Sequence, residues 1–130
     1  MIRVLLVDDH ESVREGLRTL IDQEPDMTVV ADIADGSAAV EQATGTQADV
    51  VVLDLTMPSL GGLTIARLLK ERTPSAIVVF TRHNDDAYVR DLMMAGALGY
   101  ILKQSPTSEL LAAIRAAAAG TPYLDRSLPT

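Results

Sequence analysis

Apolar residues along this chain follow two different habits. Short continuous runs occur at 4–7 (VLLV), 29–33 (VVADI), 50–55 (VVVLDL), 76–80 (AIVVF) and 99–102 (GYIL), and they read as five strands. The stretches between them carry helical spacing instead. Val13, Leu17, Leu20 and Ile21 form one stripe, Leu63, Ala66, Leu68 and Leu69 a second, and Leu110, Leu111 and Ile114 begin a third in an alanine-rich segment. Ser12 and Glu15 have the spacing of a capping box, Pro25 closes the first helix and Gly120 follows the last. Met93 and Met94 read as the core and surface sides of one helix. Five strands alternating with five helices predict an α/β fold with a parallel sheet, order 2-1-3-4-5, flanked by helices on both faces. Strands that are apolar throughout, not alternating, fit burial from both sides. Residues 123–130, YLDRSLPT, lose the periodicity and read as the start of a linker.

Composition narrows the class. At 130 residues the chain suits one domain, and 48% hydrophobic content argues against disorder. Lys and Arg number 11 against 18 Asp and Glu, a net charge of -7, which argues against nucleic-acid binding by this domain itself. Without cysteine there is no disulfide or thiolate chemistry. The start MIRVLLVDD is not a secretory signal, and no run approaches the roughly 18 apolar residues of a membrane span. A soluble cytoplasmic protein with no membrane partner is expected.

The strand ends carry the chemistry. Asp8 and Asp9 follow the first strand and Asp54 ends the third. In an open parallel sheet the functional crevice lies beyond the carboxyl ends of the strands, where strand order reverses. Strands one and three are expected neighbours, so three carboxylates converge. Like charges that close require a compensating cation, and magnesium suits a site with few carboxylates that keeps several waters. Thr81 ends the fourth strand and Lys103 the fifth. Alone, the threonine fits a strand-end hydrogen bond and the lysine a solvated rim charge. Together the five residues can bind a metal, present a carboxylate nucleophile and receive a phosphoryl group.

With these residues in this order, the sequence resembles the receiver domain of two-component response regulators from its start to about residue 122. The opening LVDDHESVREGL and the tail AAAAGTPYL are more like the NarL/FixJ (LuxR-type) branch. The resemblance implies a flavodoxin-like (CheY-like) doubly wound fold and a receiver at 1–122. It implies that 123–130 lead to a C-terminal helix-turn-helix DNA-binding domain, DNA being reached only through it. It also implies Asp54 as phosphoacceptor, with Mg2+ or Mn2+ held by Asp9, Asp54 and the backbone carbonyl of Thr56, and by Asp8 through water. Thr81 and Lys103 are implied to bind the phosphoryl group, and Tyr100 to swing inward when the switch closes. Partners so implied are a sensor histidine kinase and a second copy of the chain upon phosphorylation.

Two positions depart from the family's habit. Gln104, not proline, follows Lys103, and Arg82 stands where a small residue is common after Thr81. Arg82 and His83 are expected to tune the pocket, and His10 is expected at the surface nearby. Two other classes fit the residues less well. A magnesium-dependent phosphatase using an aspartyl nucleophile would show D-x-D, but Asp54-Leu55-Thr56 stands here. A flavin carrier would need a Ser/Thr/Gly-rich phosphate loop after the first strand, and none follows.

Overall fold

The computed structural model describes residues 1–54, 61–82 and 86–128, Asp86 by its backbone alone. Its strands are β1 (Ile2–Val7), β2 (Met27–Ile33), β3 (Val50–Leu53), β4 (Ala76–Thr81), β5 (Gly99–Leu102) and β6 (Tyr123–Leu124). The helices are α1 (Glu11–Asp22), α2 (Ala39–Thr46), α3 (Gly62–Arg72), α4 (Asp86–Met94) and α5 (Thr107–Ala118). The sheet is parallel throughout, in the order β2-β1-β3-β4-β5-β6. The expected order is present, extended by a sixth strand.

Alternate residues of each strand enter different cores, as a period of two requires. Leu5, Val7, Val51, Leu53, Ile77, Val79, Tyr100 and Leu102 pack with Ala43 of α2, Ile65 and Leu69 of α3 and Leu92 of α4. Val4, Leu6, Val50, Val52, Val78 and Ile101 pack with Leu17 and Ile21 of α1 and Leu110, Ile114 and Ala117 of α5. Both layers are closed to water, which is why the strands read as continuous apolar runs. Met93 packs against the first core and Met94 is 82% exposed, so the pair does divide between core and surface.

One local expectation fails. The Ser12–Glu15 capping box does not form, because α1 begins at Glu11 with His10 as N-cap and no side-chain cap bond. The helix starts two residues too early for Ser12 to stand as its N-cap. Residues 123–128 are packed on the domain. β6 pairs with β5, the Asp125 amide donates to the Tyr100 carbonyl (2.8 Å), and Leu128 is buried. The chain reaches this edge because Gly120, at φ 78, ends α5 in the left-handed region and turns the backbone back.

Asp125, itself buried, fastens this segment. Its carboxylate accepts from the amides of Leu102 (2.9 Å) and Ser127 (2.9 Å) and from the Ser127 hydroxyl (2.6 Å). Burial pushes its pKa up, but hydrogen bonding from Ser105, Ser127 and the Leu102 amide outweighs that and holds it below the ordinary value. A carboxyl whose folded pKa is depressed contributes stability that is full above its unfolded pKa and lost as pH falls through the folded one. Asp125→Ala is expected to cost about 2 kcal/mol at neutral pH, since buried donors lose their acceptor. Asp125→Asn should flatten the acid limb of the stability profile. Thermal melts between neutral and acid pH check both. A parent-like melting curve for the alanine variant would show that 123–128 is not held this way.

Candidate functional site

Register places the site. Val7 of β1 lies opposite Leu53 of β3, so Asp8 and Asp54 step off adjacent strands side by side. Both remain anchored through the main chain: the Asp54 amide donates to the Val7 carbonyl (2.9 Å) and the Asp8 amide to that of Ile33 (3.0 Å). On the other flank Thr81 pairs with Leu102, and the Lys103 amide donates to the Thr81 carbonyl (2.7 Å). Four strand ends therefore deliver Asp8, Asp54, Thr81 and Lys103 to one rim, as the sequence predicts.

The charges at this rim are unequal. The Asp8 and Asp54 side chains are 3% and 1% exposed, and Asp9 at 32% stands at the opening. Lys103 Nζ lies 3.3 Å from Asp54 Oδ1 and 3.5 Å from Asp8 Oδ2, and 5.8 Å from the Phe80 ring centre, which steadies its stem. One lysine thus faces two buried carboxylates with a third beside them. Buried like charges repel strongly, so the arrangement is short of positive charge. Ligand atoms of Asp8, Asp9, His10 and Asp54 all lie within 4.8 Å of one another.

His10 lies at the surface as expected, and close to all three acids. Its side chain is 57% exposed, yet Nδ1 is 3.1 Å from Asp8 Oδ1, 3.0 Å from Asp9 Oδ1 and 4.0 Å from Asp54 Oδ2. Helical spacing to a second ligand is the wrong signal for such a residue. The relevant one is adjacency to Asp8-Asp9 at a helix N-cap, where the backbone turns the side chain back over the strand ends.

Arg14 adds a support that the sequence does not reveal. It donates from Nη1 to the Asp8 carbonyl (2.7 Å) and from Nε to Asp32 Oδ1 (3.1 Å). Arg18 Nε also donates to Asp32, at 3.0 Å. Hydrogen bonding from Arg18, joined by Arg14, holds the Asp32 carboxyl below its ordinary pKa despite partial burial. α1 is thereby tied to the ends of β1 and β2, fixing the turn that carries Asp8.

Arg82 is exposed and lines a recess of about 210 Å³ with Val13, His10 and Lys103, the last two being the residues that contact the acids. Thr81 and Tyr100 are fully buried, the tyrosine in the core shared with α3 and α4. No described peptide bond is cis, Lys103–Gln104 included. Thr56 and His83 lie outside the described residues. No described helix is long and apolar enough to cross a membrane.

Comparison with known proteins agrees with this geometry. The family profile of the response regulator receiver domain matches residues 4–115. The chain is 41% identical over 126 residues to the transcriptional regulatory protein LiaR of Bacillus subtilis, covering 96% of this chain and 60% of LiaR. It is 39% identical to the nitrate/nitrite response regulator NarL of Escherichia coli K12, covering 96% of this chain and 58% of NarL. The chain therefore spans about 60% of the length of these curated relatives. Among solved structures, a LuxR-family two-component response regulator from Aurantimonas superposes with a TM-score of 0.87 at 41% identity, over 93% of this chain and 87% of that one. The isolated receiver domain of RcsB from Salmonella enterica, solved with the phosphomimetic BeF3-, superposes with a TM-score of 0.89 at 27% identity, over 98% and 95% of the two chains.

Proposed function

This chain belongs to the response regulator receiver domain family, in the NarL (LuxR-type) branch of two-component regulators, and on that premise we propose that it is a switch set by phosphorylation of Asp54. The observation that carries the reading is a buried carboxylate, Asp54, whose one oxygen lies 3.3 Å from Lys103 beside two further acids. An Asp54 oxygen attacks the phosphorus of a kinase phosphohistidine. The P–N bond breaks, its electron pair stays on the histidine ring, and an acyl phosphate forms on Asp54. Lys103 is placed to pair with the phosphoryl oxygens, and Thr81, one step past the Asp54 level of the sheet, to donate its hydroxyl to them.

The acid cluster fits magnesium or manganese, since carboxylate oxygens from Asp8, Asp9 and Asp54 gather within ligand reach and are short of positive charge. Asp9 and Asp54 would hold the ion directly, with the Thr56 carbonyl, and Asp8 through water. When bound, the ion offsets repulsion between the phosphoryl dianion and the carboxylates. Tyr100, buried between the Thr81 strand and α4, relays the change toward the outer face. In this reading residues 1–122 are the phosphoacceptor unit, and 123–130 lead toward a helix-turn-helix output domain. The partners are a sensor histidine kinase and, after phosphorylation, a second copy. The greater length of the relatives and the net charge of -7 support DNA contact through that domain and not through this one.

Mapping the adduct tests the proposal. Acetyl phosphate with magnesium should leave one acid-stable, base-labile phosphoryl group on Asp54. Steady turnover of a phosphate ester with no adduct would replace the switch by a phosphatase.

Arg82 should set the rates. An exposed arginine attracts a phosphate by only about 1 kcal/mol, and salt screens it. Its bulk at the recess obstructs in-line approach, and misplacement of reacting groups by 1 Å can cost roughly 100-fold. Arg82→Ala is therefore expected to speed phosphorylation by acetyl phosphate several-fold and to shorten the phosphoryl lifetime similarly. Stopped-flow and decay measurements at low and high salt check this. Slowing of both steps would mean attraction outweighs obstruction.

A further inference from the structure

We infer that His10 is a nitrogen ligand of the same ion and makes the site prefer transition-metal ions over magnesium. The inference rests on the carboxylate site just described and adds one donor to it. Ligand atoms about an octahedral ion at roughly 2.1 Å stand about 3.0 Å apart along an edge and about 4.2 Å apart across the centre. His10 Nδ1 lies 3.1 Å from Asp8 Oδ1, 3.0 Å from Asp9 Oδ1 and 4.0 Å from Asp54 Oδ2. Toward the two acids that would hold the ion directly, these are one edge-like spacing, to Asp9, and one close to a diagonal, to Asp54, while Asp8 would act through water.

The ring is held there by its backbone. The His10 amide donates to Asp8 Oδ1 (2.8 Å), and the His10 carbonyl accepts from Arg14 at the first turn of α1 (3.1 Å). As N-cap, with φ -95 and ψ 109, it presents the ring over the strand ends without spending it on a cap bond. With 57% of the side chain exposed, the ring is open to an ion arriving from solvent.

The chemistry then follows from donor type. Carboxylate oxygens alone suit magnesium and manganese, whereas imidazole suits cobalt, nickel and zinc, and affinity for a mixed nitrogen and oxygen site rises from manganese through cobalt to nickel. Cysteine is absent, so imidazole is the softest strong donor available.

Titrating the full chain with Mg2+ and Co2+ by calorimetry, with visible spectra of the cobalt form, tests this. The parent should bind Co2+ at least about 100-fold more tightly than Mg2+. His10→Ala should lose about 10- to 100-fold in Co2+ affinity and change the cobalt spectrum, while Mg2+ affinity stays within about twofold. Retained Mg2+ binding also shows that this variant is folded.

An imidazole that merely hydrogen-bonded the carboxylates would compete with every ion alike, so a rise in both affinities in His10→Ala overturns the inference. An unchanged Co2+-to-Mg2+ ratio in His10→Ala overturns it too. Failure of the underlying site is distinguishable: Asp9→Asn would then leave both ions bound as in the parent. If the site is right and only the nitrogen ligand wrong, Asp9→Asn weakens both ions while His10→Ala leaves the ratio alone.

Discussion

Asp54→Asn is expected to abolish phosphoryl incorporation from a histidine kinase and from acetyl phosphate alike, and to melt no lower than the parent in the absence of metal. The first half follows from chemistry: an amide oxygen is a poor nucleophile, and no other described carboxylate pairs this degree of burial with an oxygen 3.3 Å from Lys103 at the rim. The second half follows from charge. Asp54 and Asp8 are both buried and share one lysine, so without a divalent ion two neighbouring negative charges are incompletely compensated. Removing one charge leaves Lys103 paired with Asp8 and should raise stability by about 1 kcal/mol. Function and stability are then opposed at a single side chain. Radiolabel incorporation and a melting curve taken with chelator decide the two halves. Residual labelling near the parental level would move the acceptor elsewhere. A clear loss of stability would show that Asp54 is held by favourable bonds stronger than the repulsion.

The complementary change should have the opposite sign. Lys103→Ala removes the positive charge between two buried carboxylates and is expected to destabilise the metal-free protein by about 3 kcal/mol. For a domain of this size that lowers the melting temperature by about 10 °C. A divalent ion can supply the missing charge, so magnesium should restore much of the loss. Binding at 100 times the dissociation constant contributes about 2.7 kcal/mol, and the variant's acids should bind the ion more tightly than the parent's. Melting temperatures with chelator and with saturating magnesium, in both proteins, give the comparison. If the variant melts with the parent in chelator, or gains no more from magnesium, Lys103 is not the neutralising group.

Much of this protein is legible in its sequence. Continuous apolar runs with helical stripes between them dictate strands buried on both faces, because alternate side chains have to enter two separate cores. Asp8, Asp9, Asp54, Thr81 and Lys103 declare themselves because each stands where such a run ends, and in a parallel sheet all run ends share one edge. Local geometry is less visible. The Ser12–Glu15 pattern is only a spacing, and a helix that starts two residues earlier voids it. β6 is two residues long, with too little sequence for periodicity to register, and its place depends on Gly120 turning the chain and on Asp125 finding the Leu102 amide. The Arg14–Asp32 tie joins residues 18 positions apart on different elements, so no local pattern could announce it. His10 shows the same limit at the site itself. Its neighbours in sequence are plain, but whether its ring faces solvent or three carboxylates depends on where β1, β3 and α1 meet, and only the packed tertiary structure sets distances between groups that the chain itself holds far apart.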